Sequence, residues 1–145
     1  MNRRGFAVVV AAATTAAVMV SGLVTGASAG ATPRQDGEII FYEGNGATQN
    51  IVHATSDEPG QDFAPHQNDE ARSAKLIFVR PGARITVFDS PSKDKRDDYA
   101  IIYVKKFTGT IIIDHFEKDV DDEYVTVVYV RNNGLNGKVS RVTVT

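Results

Sequence analysis

From residue 38 onward the apolar residues fall in short runs separated by Gly, Pro, Asn and Asp, and none repeats with the 3.6-residue period of a helix. The pattern predicts strands over Glu38–Glu43, Thr48–Thr55, Ala74–Val79, Arg84–Asp89, Tyr99–Lys105, Thr110–Ile113 and Tyr124–Val130. In the first of these Ile39 and Phe41 share one face, with Ile40 and Tyr42 on the other. Gly44-Asn45-Gly46 and Asp57-Glu58-Pro59-Gly60 read as turns, because glycine and asparagine accept positive φ at low cost. Phe63, alone between polar residues, reads as a core anchor. Short strands at this spacing predict an all-β sandwich or Greek-key domain.

The same pattern occurs twice. Asn68-Asp69-Glu70-Ala71-Arg72-Ser73-Ala74-Lys75-Leu76 aligns without gaps on Asn136-Gly137-Lys138-Val139-Ser140-Arg141-Val142-Thr143-Val144. Each is a polar arch that feeds a strand with one buried face. The openings match too: Ile39-Ile40-Phe41-Tyr42-Glu43 and Ile85-Thr86-Val87-Phe88-Asp89 both end in an aromatic and an acid before a turn. Two units with the same beginning and end predict an internal repeat, of about 37–80 and 83–145, with Arg80-Pro81-Gly82-Ala83 between them.

Composition adds an address. Asn2-Arg3-Arg4, the apolar stretch Phe6 to Val24 and Ala27-Ser28-Ala29 have the order of a secretory signal peptide over residues 1–29, with an A-x-A cleavage site. Arg3-Arg4 also partly fits a twin-arginine signal, so the export route stays open between the two. Residues 30–36 form a short polar leader. Cleavage leaves 116 of the 145 residues, removes two arginines and no acids, and moves the formal net charge from −2 to −4. A chain with that balance and no basic stripe is not built for nucleic acid, and no membrane span is expected after cleavage. The absence of cysteine excludes thiol chemistry and disulfide stapling.

Phe41-Tyr42-Glu43 followed by Asn68-Asp69-Glu70-Ala71-Arg72-Ser73 resembles one βγ-crystallin Greek-key motif. Val87-Phe88-Asp89 with Asn136-Gly137-Lys138-Val139-Ser140-Arg141 resembles a second, longer one. The resemblance implies a double Greek-key sandwich of two four-stranded sheets in one domain, over about Gly37 to Val144. More narrowly, the Phe-Tyr-Glu-Gly opening, the Asn-Gly-Leu-Asn-Gly-Lys-Val-Ser-Arg-Val ending and the secreted, actinobacterial look are similar to the Streptomyces killer toxin-like group.

Many members of the wider family hold calcium through (Asn/Asp)-(Asn/Asp)-x-x-(Ser/Thr)-Ser, used twice. Each ion then takes the second-position side chain of one arch, and the third-position carbonyl and fifth-position hydroxyl of the other. Calcium suits such loops because it accepts six to eight oxygens in loose geometry. By that correspondence one site pairs Arg72 with Gly137 and lacks its oxygens. The other pairs Asp69 with the Lys138 carbonyl and Ser140, and keeps them. The expectation is at most one Ca2+, held by Asp69, Lys138 and Ser140 and not required as a cofactor. The competing expectation is that both arches are plain hydrogen-bonded corners.

Little else points to chemistry. The run Asp114 to Glu123 holds six acids and one lysine in ten residues, but it has no EF-hand ladder and reads as a solvated loop. The mixed charges of Ser90 to Asp98 read the same way. His53, His66 and His115 read as scattered surface histidines, and no nucleophile elbow or phosphate loop accompanies them. Phe41, Phe63, Phe78, Phe88, Tyr99 and Tyr103 are expected in the core, and Tyr42 and Tyr129 on outer faces. No catalytic residue is assigned. The resemblance implies a secreted, non-enzymatic monomer that damages yeast or fungal cells through an unidentified component of the target-cell surface. A calcium-binding or structural extracellular module, and then a protease inhibitor of the same fold, are the alternatives.

Overall fold

The computed structural model describes residues 36–145; the expected signal peptide and all of the expected leader but Asp36 lie outside them. Among the described residues the chain is all-β, with ten strands and no helix. They are β1 (Glu38–Gly44), β2 (Thr48–Ser56), β3 (Gln61–Phe63), β4 (Ser73–Ile77), β5 (Arg84–Phe88), β6 (Tyr99–Val104), β7 (Thr110–Ile113), β8 (Val120–Asp121), β9 (Val125–Val130) and β10 (Arg141–Val144). They form two antiparallel sheets, one in the order β2-β1-β4-β7 and the other β3-β10-β5-β6-β9-β8.

The repeat in the sequence is a repeat in the pairing. In the first half Phe41 lies opposite Ala74 and Ile39 opposite Leu76; in the second Val87 lies opposite Val142 and Ile85 opposite Val144. Each half opens with a hairpin, β1 with β2 and β5 with β6. Its third strand then crosses to the other sheet. Thus β3 pairs with β10, and β7 pairs with β4, in matching register: Phe63 opposite Val142, and Ile113 opposite Ala74. Because each half completes the other's sheet, neither presents a finished hydrophobic face alone.

Period-two alternation places Ile39, Phe41, Leu76, Ile85, Val87, Ile102, Val127 and Val142 in one buried cluster drawn from both sheets. Burial of each large side chain stabilises the fold by about 1.5–3 kcal/mol.

Several expectations are corrected. The second sheet has six strands rather than four, because β9 extends it beyond β6 and β8 follows. The acidic run contains β8 and leads into β9, and is not simply a solvated loop. Phe116, in its middle, is fully buried, and its ring lies 6.4 Å from that of Phe41. Phe78 and Tyr103 are exposed rather than core. Tyr129 faces inward, since it pairs with buried Ala100 and packs on the core. The loop before β6 ends in a buried carboxylate, Asp98, which accepts the Tyr129 hydroxyl and the amides of Asn133 (2.7 Å) and Gly134 (2.8 Å). Burial alone would raise the Asp98 pKa, but these donors, with the Asn132 amide, bring it below the ordinary carboxylate value.

Candidate cation-binding corner

The two arches cross at one end of the sandwich and bond to each other reciprocally. The Asp69 amide donates to the Val139 carbonyl (3.3 Å), and the Gly137 amide donates to the Ala71 carbonyl (3.2 Å). One step further, the Arg72 amide donates to the Tyr42 carbonyl and the Ser140 amide to the Phe88 carbonyl, both at 2.9 Å. Each of these four bonds therefore has its counterpart in the other half. The turn needs a left-handed residue at the second position of each arch, and Asp69 (φ 62°) and Gly137 (φ 71°) supply it. Aspartate tolerates that region better than most residues with a β-carbon.

The halves differ in side chains, and the difference decides the chemistry. Ser140 is buried, and its hydroxyl donates to Asp69 Oδ1 at 2.8 Å and lies 3.3 Å from the Lys138 carbonyl oxygen. Three oxygens (carboxylate, hydroxyl, carbonyl) are thus brought together by residues from both arches. The Lys138 ammonium turns away, donating to Asn133 Oδ1 at 2.8 Å. In the matching corner the Arg72 guanidinium lies over Gly137, so that a Cβ there would stand 3.4 Å from Arg72 Nη2. A cation occupies that corner, and the side-chain oxygen is missing.

Burial and then the charge of Asp97 push the Asp89 carboxyl above its usual range; Lys138 opposes this, while Asp98 and Asp69 add to it. Among the described residues no three His, Cys, Asp or Glu side chains converge as a metal cage. The donor set is all oxygen with a single carboxylate. It suits a hard cation such as Ca2+ and is too small to hold one tightly, since calcium takes six to eight oxygens. The Asn136 Oδ1 atom, at the head of the second arch, is buried with no hydrogen-bond partner.

The supports of the corner were not assigned from the sequence. Glu117 Oε1 accepts the amides of Leu135 and Asn136, both at 2.7 Å, and so fastens the second arch to the acidic run. Ser73 donates to the Gly44 carbonyl at 2.5 Å and accepts the Ala47 amide at 2.9 Å. It pins the β1–β2 turn, where Ala47 and Gln49 both have positive φ. The one available signal was the serine in the sixth position of the first arch. Two histidines expected to be scattered are in contact. The His53 ring stacks on Phe63 at 4.4 Å, and His66 meets His53 edge-on at 4.5 Å between centroids. Burial, and then the charge of His66, lower the His53 pKa. His115 lies apart from this pair, in the acidic run.

Against known proteins, the chain matches no family model, no curated protein and no solved structure.

Proposed function

We propose that the chain is an exported βγ-crystallin-type module, a double Greek key that acts by binding rather than by catalysis, in the manner of the killer toxin-like group. The observation that supports it is the exchange of third strands between two halves with identical register, β3 onto β10 and β7 onto β4. Together with the paired arches, that exchange is what two such motifs in one domain are expected to give. Activity against yeast or fungi follows from the resemblance, and recognition would fall to the loops. Purified residues 30–145 should slow growth or alter the morphology of budding yeast or a filamentous fungus in a dose-dependent way. Folded protein without effect at high concentration would refute toxicity.

A second reading, a calcium-stabilised extracellular module, is favoured by the convergence of Asp69, Ser140 and the Lys138 carbonyl. Those three would contribute oxygens to one Ca2+, which would replace the bond between Ser140 and Asp69 and offset the negative charge around Asp89. The two readings are compatible, because the ion would serve the fold and the loops the target.

A further inference from the structure

The alternation of β4 breaks at Phe78. Leu76 points into the core and Ile77 away from it, so a regular strand would turn Phe78 inward and Val79 outward. Phe78 instead takes φ 52°, a left-handed conformation that bulky residues rarely adopt. The result is inverted: Val79 is buried and Phe78 is 41% exposed. The Phe78 amide donates to the Gly109 carbonyl at 2.9 Å, which fixes the kink against the β6–β7 loop. That loop contributes Phe107, 58% exposed, with its ring 6.1 Å from that of Phe78 and inclined by 23°. Two near-parallel phenylalanines therefore stand in solvent at one site, one of them held there by a strained backbone.

The surface beside them is not a plain apolar patch. A cleft of about 370 Å3 runs from Phe78 along Ile77 to the hydroxyl-bearing Thr55 and Ser56 and the carboxylate-bearing Asp36 and Glu38. An aromatic face next to hydroxyls and carboxylates matches the two sides of a pyranose ring, which presents C–H groups on one face and hydroxyls at its edge. A lipid surface fits poorly, because docking would strip water from two carboxylates with nothing to replace it. An acidic polymer would be repelled by the same groups.

We propose that Phe78, Phe107 and the adjoining cleft form a binding site for uncharged pyranose polymers. The site is separate from the cation corner. It deepens the proposed recognition role by naming the chemistry of the target surface. The kink is then the means of display, with local stability given up to hold an aromatic platform in solvent.

The test is retention of purified residues 30–145 on insoluble β-glucan, chitin and cellulose, with alginate beads and phosphatidylcholine vesicles as controls. Retention on at least one uncharged polysaccharide is expected, and on neither control. Phe107→Ala and Phe78→Ala should each weaken it about tenfold or more, as loss of an aromatic anchor does, while Phe78→Tyr keeps it. Phe78→Gly is the sharper variant, since glycine relaxes the positive φ and removes the ring. It should melt no lower than the wild type and yet fail to bind. Retention on none of the polysaccharides, undiminished binding by folded Phe78→Gly, or capture by vesicles would overturn the proposal. Because no cells are involved, the outcome is separable from toxicity. Binding without toxicity would leave this site standing and remove the toxin reading, and toxicity without binding would do the reverse.

Discussion

The Ser140 hydroxyl donates to Asp69 Oδ1 at 2.8 Å and so joins two residues 71 positions apart. Its counterpart in the matching corner is Arg72 lying over Gly137. The corner with oxygens should answer to calcium, and the corner with the guanidinium should not. Calcium at a hundred times its dissociation constant would add about 2.7 kcal/mol to the fold. The melting temperature should rise with millimolar calcium and not with sodium at equal ionic strength. Asp69→Gly keeps the left-handed turn, gives position 69 the residue already found at 137, and should erase the shift. A full shift in that variant, or none in the wild type, would sink the calcium reading.

Symmetry makes the defective corner repairable. Gly137 has φ 71°, close to the 62° that Asp69 tolerates, so an aspartate fits the backbone there. Its Cβ would stand 3.4 Å from Arg72 Nη2, close enough for the new carboxylate to pair with the guanidinium, so freeing it for an ion requires replacing the arginine as well. Arg72→Ser with Gly137→Asp should raise the calcium stoichiometry measured by titration calorimetry from one to two. Gly137→Asp alone should leave it at one, because the new carboxylate would pair with Arg72. A double variant that still takes one ion would mean that the side chains of the arches do not define the site.

Phe116 lies fully buried within a run of acids. Phe116→Ala should cost about 3–5 kcal/mol in chemical denaturation, as large-to-small changes in packed cores do. Lys118→Ala, two residues away, should stay within about 0.5 kcal/mol, the usual range for surface changes. Equal effects from the two would show that the run is detached from the core.

Phe116 also shows where the sequence stops being informative. The alternating strands and both arches are legible because burial on one face imposes a period of two, and the family resemblance groups Asp69, Lys138 and Ser140, whose oxygens lie together in the structure. In the acidic run the charges hide a single apolar anchor, and no period marks one residue. The contact between His53 and His66 depends on where β2 and the loop after β3 lie in three dimensions, which local pattern does not carry. Phe78 is the plainest case. Propensity and alternation both assign it to the core, and only the left-handed backbone, which hydrophobicity does not encode, turns it out.

The histidine pair gives the last prediction, a dependence of stability on pH. Burial and the charge of His66 hold the His53 pKa below its ordinary value in the folded state. The unfolded chain takes up that proton near pH 6.5, about the unperturbed value. Between this value and the lower folded one, the unfolded state binds more protons, so stability rises with pH. The contribution from His53 is therefore complete above about pH 6.5. It is lost as pH falls through the folded pKa, and it is constant below that. His53→Gln should flatten this part of the profile in denaturation measured from pH 7.5 to 4.5, and His66→Gln should flatten it partly by removing the neighbouring charge. An unchanged slope in His53→Gln would assign the acid sensitivity to other groups and leave the stacked pair a packing contact alone.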